Sequence, residues 1–290
     1  DERQQVRSKE YEVHLSEVEC LLVRSTTKIS EDLLIKMPCL RFVATATAGY
    51  DHLDIQAIES RNIKWYAAGG CNAQAVTQYV ICALLTLASQ DAFLIKDKVV
   101  AVVGNGNVGS RVAKVLRALG AAVIVYDPPQ HESNCDDNVD GHSNYTTFEK
   151  VLNADIICVH APLNSHASFP SKHLFNAETL SKLTRSQYLI NAGRGELIDN
   201  EALHTLLSNN QKQGIASVNV VLDVWENEPQ IMTSLIPYLR LTSAHIAGHS
   251  LEGKANGTYM LYQRICKLYR IDETIRLSTL LPNYDAQVPK

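Results

Sequence analysis

Val99-Val100-Ala101-Val102-Val103 runs directly into Gly104-Asn105-Gly106-Asn107-Val108-Gly109, and Ser110 to Leu119 follows with Val112, Val115, Leu116 and Leu119 at helical spacing. An uninterrupted apolar burst of strand length marks a strand buried on both faces. The single apolar stripe after the glycines marks a helix that packs on the resulting sheet. Ala121 to Tyr126 reads as the next strand, ending at Asp127 and at Pro128-Pro129, which reads as a breaker. Ile156 to Val159, Tyr188 to Ile190, Val218 to Leu222 and Leu239 to Ser243 repeat the pattern, with helices expected at Thr147 to Leu152 and Glu201 to Leu207, the latter capped by Asn200. Strands alternating with helices predict a doubly wound parallel α/β sheet.

Outward from this centre the pattern changes. Before Gln74, strand-like Cys20 to Val23 and Leu40 to Thr45 flank a short helix, Glu31 to Met37, as expected of a second, smaller α/β unit. Gln74 to Gln90 reads as a connecting helix and Leu251 to Tyr269 as a returning one, before a polar tail from Pro282 to Lys290. The domain boundaries expected on this basis are 1–73, 74–248, 249–281 and 282–290.

The composition excludes several classes. A length of 290 residues suits about two domains. With 46 % hydrophobic and 20 % charged residues, 14 Gly and 9 Pro, the chain reads as globular. A net charge of −4 without basic runs argues against nucleic acid as a partner. No apolar stretch has the length of a membrane span, and the start Asp1-Glu2-Arg3-Gln4-Gln5 is no signal-peptide core, so a cytoplasmic location is expected. Seven scattered cysteines without a CxxC pair support neither a disulfide framework nor a metal site.

Three glycines in six residues also occur as a bare tight turn, so context decides. Here a buried strand precedes them, a helix follows, and Asp127 closes the next strand about 20 residues on. In that setting Gly104, Gly106 and Gly109 let backbone N–H groups approach a pyrophosphate at the helix N-terminus. Asp127 would meet the ribose hydroxyls and repel a 2′-phosphate, favouring NAD over NADP. Three polar residues then fall just beyond predicted strands, at the edge where such sheets take ligands. They are Arg194 in Asn191-Ala192-Gly193-Arg194-Gly195, Glu228 in Asp223-Val224-Trp225-Glu226-Asn227-Glu228-Pro229, and His245 in Ser243-Ala244-His245-Ile246-Ala247-Gly248. An Arg fork grips a carboxylate in two places, and a His oriented by a carboxylate exchanges protons near neutrality. Each alone reads more readily as a solvated charge or a satisfied histidine. As an ordered set behind a nucleotide fingerprint they point to a catalytic site.

The order of these four segments resembles the D-isomer-specific 2-hydroxyacid dehydrogenases. Val23-Arg24-Ser25, Thr45-Ala46-Thr47-Ala48-Gly49-Tyr50-Asp51-His52, Gly70-Cys71-Asn72-Ala73 and His245 through Lys254 resemble one subgroup of that family, which oxidises 4-phospho-D-erythronate. The resemblance runs from about Val18 to Pro282. It implies a Rossmann-type NAD-binding domain inserted in a substrate domain, with His245 as acid/base, Glu228 as its partner and Arg194 as the carboxylate clamp. It further implies cofactor contacts at Gly104, Gly106, Asn107, Val108, Gly109, Asp127, Ala161, Ala192, Gly193, Arg194, Asp223 and Gly248. Substrate contacts would come from Ser25, Thr47 and His249, with Arg24 either an anion ligand or a buried strand-end ion pair. A small phosphorylated 2-hydroxy acid is the implied substrate and a homodimer the implied assembly. Against the subgroup pattern, His249 replaces Tyr, Ala161 replaces Thr, Gln78 replaces Glu, Gly193 replaces Cys, and the stretch near Gln211 to Ser217 is longer. An opening strand is expected upstream of Asp1, and most of a dimerisation domain downstream of Pro282. Two other functions fit the same residues: a dehydrogenase of 3-phosphoglycerate or glycerate, and a non-catalytic NAD(H)-binding protein.

Overall fold

A computed structural model describes residues 15–133, 145–164 and 168–282; Cys135 and nearly all of the polar tail lie outside them. The chain divides into two compact units, 1–72 with 250–290, and 73–249.

In the smaller unit β1 (Cys20–Val23), α1 (Glu31–Ile35), β2 (Phe42–Thr45), α2 (Ile55–Ser60) and β3 (Lys64–Ala67) alternate, and the strands pair in parallel in the order β1-β2-β3. All four residues of the central strand β2 are buried. The sequence shows β1, α1 and β2 but neither α2 nor β3. β3 reads Lys-Trp-Tyr-Ala with Lys64 exposed and the other three half-buried, so it lacks the Val, Ile and Leu run that marks a strand buried on both faces.

In the larger unit α3 (Ala73–Gln90) leads into β4 (Val99–Val103), α4 (Gly109–Ala118), β5 (Ala122–Tyr126), α5 (Pro128–Ser133), α6 (Phe148–Leu152), β6 (Ile156–Val159), α7 (Ala177–Ser181), β7 (Tyr188–Asn191), α8 (Asn200–Lys212), β8 (Asn219–Leu222) and β9 (Leu241–Thr242). The six strands are all parallel, in the order β5-β4-β6-β7-β8-β9. The chain steps from β4 outward to β5, then crosses back past β4 to β6, so loops leave in opposite directions between β4 and β6 and open a crevice there. Each face of the sheet has its own core. Val100 and Val102 pack with Leu84, Leu87, Val112 and Leu116, whereas Ala101 and Val103 pack with Leu189, Leu203, Leu207 and Trp225. Each fully buried Val or Leu contributes about 1.5–3 kcal/mol.

Two local expectations are corrected. Pro128-Pro129 opens α5 instead of breaking the chain, because a proline in the first helical turn lacks only an N–H that would go unpaired there. The cap of α8 is Asp199, whose carboxylate accepts from Ala202 N at 2.9 Å; Asn200 is the first helical residue, and its amide donates to Ile198 O at 2.8 Å.

The last helix, α9 (Leu251–Tyr269), belongs to the smaller unit and is capped by Ser250 Oγ, which accepts from Gly253 N at 3.0 Å. A Cβ on Gly257 would lie 2.4 Å from Ala46 O, so only glycine lets the helix lie this close to the end of β2. Leu261 then completes a core with Phe42 and Ala44.

Candidate active site

Because all six strands of the larger unit run the same way, their C-terminal loops gather at one edge. The glycine loop leaves β4 there. Gly104 has φ +88°, and a Cβ on it would lie 2.6 Å from Ala161 N, across the crevice in the loop after β6. A Cβ on Gly109 would lie 1.8 Å from Gly104 O, whereas one on Gly106 would meet nothing within 4 Å among the described residues. The outer two glycines therefore close the turn, and the middle one leaves open space beside bare backbone. Asn107 and Val108 complete the turn, and α4 starts at Gly109 with an N-cap residue, Val108, whose side chain makes no capping hydrogen bond. Such an end suits a phosphate. Asp127, at the end of β5, accepts from Asn105 N at 2.7 Å and from Gln130 N at 3.1 Å, which ties its carboxylate to the same loop. These residues fit a dinucleotide.

After β7 the fully buried Asn191 shapes the next loop. Its Oδ1 accepts from Gly193 N at 3.0 Å, and its Nδ2 donates to Arg194 O at 2.8 Å. Gly193 also sits close on the loop after β6, with Val159 O 3.1 Å from where its Cβ would be. Arg194 is half-buried and donates from Nη1 to Gly193 O at 3.0 Å. At Gly195 a Cβ would lie 2.0 Å from the carbonyl carbon and oxygen of Trp225, so the Arg194 loop and the loop after β8 touch backbone to backbone.

His245 follows β9 with φ +53°, a left-handed backbone that costs a non-glycine residue about 1–2 kcal/mol. Its surroundings hold it there. His245 N donates to Asp223 O at 2.7 Å, and the Asp223 carboxylate, only 1 % exposed, accepts from Ser243 Oγ at 2.6 Å, Ile246 N at 2.8 Å and Ala247 N at 3.0 Å. The His245 imidazole, 52 % exposed, places Nδ1 2.7 Å from Glu228 Oε2. Glu228 Oε1 accepts from Trp225 N at 2.8 Å. Since an ionised carboxylate only accepts, Nδ1 carries the hydrogen and the Nε2 lone pair is left to take a proton. Glu226 is committed elsewhere: it meets His173 Nε2 at 2.6 Å and accepts from Asn200 N at 2.7 Å. The partner of His245 is thus Glu228, the acid that directly precedes Pro229.

Residues 86–250 match the D-isomer specific 2-hydroxyacid dehydrogenase, NAD binding domain. The chain is 42 % identical over 268 residues to the erythronate-4-phosphate dehydrogenase of Pseudoalteromonas atlantica, covering 92 % of this chain and 69 % of that one. It is 44 % identical over 257 residues to the protein of that name from Psychromonas ingrahamii, covering 89 % of this chain and 64 % of that one. The chain belongs to the D-isomer specific 2-hydroxyacid dehydrogenases. It spans about two thirds of the length of these relatives. Its fold is similar to that of a D-lactate dehydrogenase from Aquifex aeolicus solved with NAD and lactic acid, with a TM-score of 0.71 at 22 % identity over 89 % of this chain and 85 % of that one.

Within this dehydrogenase the remaining expected residues fall in both units. Gly248 and His249 lie just past His245, with His249 exposed and its N–H donating to Ile246 O at 2.8 Å. Ser25, Thr47 and Arg24 belong to the smaller unit. Arg24 is exposed rather than buried at the strand end. Thr47 Oγ1 donates to Gly49 O at 2.8 Å and lies 2.7 Å from Thr45 Oγ1, which in turn meets His52 Nε2 at 2.9 Å. Asp223, expected at the cofactor, spends its carboxylate on the His245 loop. Asn191, Ser243, Trp225 and Glu226 shape the site without having been singled out. All four sit inside the recognised motifs, but nothing in their spacing reveals which groups they tie down.

Proposed function

We propose that this dehydrogenase oxidises 4-phospho-D-erythronate to (R)-3-hydroxy-2-oxo-4-phosphooxybutanoate, a step in pyridoxal 5′-phosphate synthesis. The observation that carries the chemistry is the 2.7 Å contact of His245 Nδ1 with Glu228 Oε2, which leaves the Nε2 lone pair to take a proton. The substrate assignment is supported by relatives of 42 % and 44 % identity that carry the name erythronate-4-phosphate dehydrogenase. In the proposed reaction Arg194 grips the substrate carboxylate with its fork and so fixes the neighbouring C2. His245 Nε2 takes the proton of the C2 hydroxyl while the C2–H bond breaks and the C2=O bond forms. Glu228 steadies the imidazolium that results. NAD, when bound, supplies the acceptor for the C2 hydride. The glycine loop, Asp127, Ala161, the Ala192 to Arg194 turn and Gly248 would hold that cofactor. Ser25, Thr47, Arg24 and His249 would contact the phosphorylated end, in a cytoplasmic homodimer.

The test is NADH absorbance on mixing enzyme, NAD and a panel of acids. The phosphorylated four-carbon acid should show the highest kcat/KM, because binding of a remote phosphate is energy available for positioning C2. If 3-phosphoglycerate or glycerate is turned over faster, the substrate assignment falls and the dehydrogenase assignment stands. If no acid reduces NAD, both the substrate and the catalytic assignment fall.

A further inference from the structure

Asp223 is the hub of a hydrogen-bonded chain that ends on a helix remote in sequence. Its Oδ1 lies 2.6 Å from Ser243 Oγ, and Ser243 Oγ lies 2.6 Å from the hydroxyl of Tyr79 on α3. A carboxylate that already takes the N–H groups of Ile246 and Ala247 accepts only, so the Ser243 proton points to Asp223 and the Tyr79 proton points to Ser243. Burial pushes the Tyr79 phenol up, which keeps that proton in place. The direction of the chain is therefore set from end to end. Ser243 makes a second tie through its carbonyl, which accepts from the indole Nε1 of Trp225 at 2.9 Å; the backbone N–H of the same Trp225 donates to Glu228 Oε1. Both members of the His245–Glu228 pair thus hang from Ser243, one through Asp223 and the other through Trp225.

The geometry points to Tyr79 and Ser243 as positioning residues for His245: they aim the Asp223 carboxylate, which holds the His245 backbone in its left-handed turn with the imidazole against Glu228. Neither touches the reacting atoms. This rests on His245 being the proton acceptor of the proposed reaction.

Tyr79→Phe removes one hydroxyl and no packing atoms. It should lower kcat by about tenfold, with KM and the NADH dissociation constant within about twofold of wild type, the pattern of a lost alignment rather than lost binding. Ser243→Ala should do the same, and the double variant should be no slower than Ser243→Ala alone, because the two groups act in series. Without substrate, amide exchange at Ile246 and Ala247 should speed up in each variant. An unchanged kcat, losses that multiply in the double variant, or loss of NADH binding together with thermal stability would overturn the proposal. If wild type turns over no 2-hydroxy acid, the proposed function fails, and the Ile246 and Ala247 exchange rates alone decide this inference. Should Tyr79→Phe not fold, Ser243→Thr, which keeps the hydroxyl, must recover the rate that Ser243→Ala loses.

Discussion

Acid should weaken this fold through one histidine. His160 follows β6 directly; both of its ring nitrogens are shut off from solvent with no partner in reach among the described residues, and burial pushes its pKa down to about 4 from 6.5. Below pH 6.5 the unfolded chain takes up a proton that the folded chain refuses until about pH 4, so the unfolded state binds more protons and stability falls as pH falls through that window. The gap between the two values amounts to about 3 kcal/mol when fully realised, of which about 2 kcal/mol is lost between pH 7 and pH 5. Urea denaturation of wild type and His160→Leu across that range isolates the effect, since every other titrating group is common to both. Wild type should lose about 2 kcal/mol more than the variant on going to pH 5. Parallel pH dependences would show that His160 is solvated or protonated in the folded protein and would refute the reasoning.

His245→Ala should lower kcat by about 10²–10⁴-fold while a fluorescence titration with NADH stays close to wild type; full turnover in a folded variant would remove His245 from proton transfer. Glu228→Gln should slow turnover far more than Glu226→Gln, because only Glu228 meets His245, and the reverse order would exchange their roles. NADPH should bind more weakly than NADH, by up to about 4 kcal/mol for two charges about 4 Å apart at an effective dielectric near 20, and Asp127→Ala should narrow the gap; equal dissociation constants in wild type would dismiss Asp127 as the selector. Gly195→Ala would put a Cβ 2.0 Å from the Trp225 carbonyl, so its melting temperature should drop by the equivalent of about 1–3 kcal/mol or more, and an unchanged melting curve would contradict the close backbone approach.

What was legible in the sequence was what periodicity and glycine chemistry express. A strand buried on both faces, such as β4, announces itself as an apolar run. Gly104, Gly106 and Gly109 announce a turn because other residues would collide there or fill the space beside the backbone. β3 stayed hidden because its four residues are partly exposed and include Lys64. Glu228 was readable through the family resemblance, whereas the engagement of Glu226 with His173 was not, the two lying 53 residues apart in sequence. The same holds for Tyr79 and Ser243, 164 residues apart, whose hydroxyls meet only after α3 and β9 are in place. Hydrogen-bond partners chosen by tertiary packing leave no periodic trace. The left-handed backbone at His245 is likewise invisible, since histidine has no signature for it.

That backbone sets fitness and robustness against each other at a single position. Glycine adopts φ +53° without the steric cost that histidine bears there, so His245→Gly relieves about 1–2 kcal/mol of backbone strain while removing the proton acceptor. At position 245, then, an unstrained backbone and proton transfer ask for different residues. Laboratory evolution that screens only for soluble yield or thermal survival is blind to that difference, so a campaign to harden this enzyme has to read turnover in the same round.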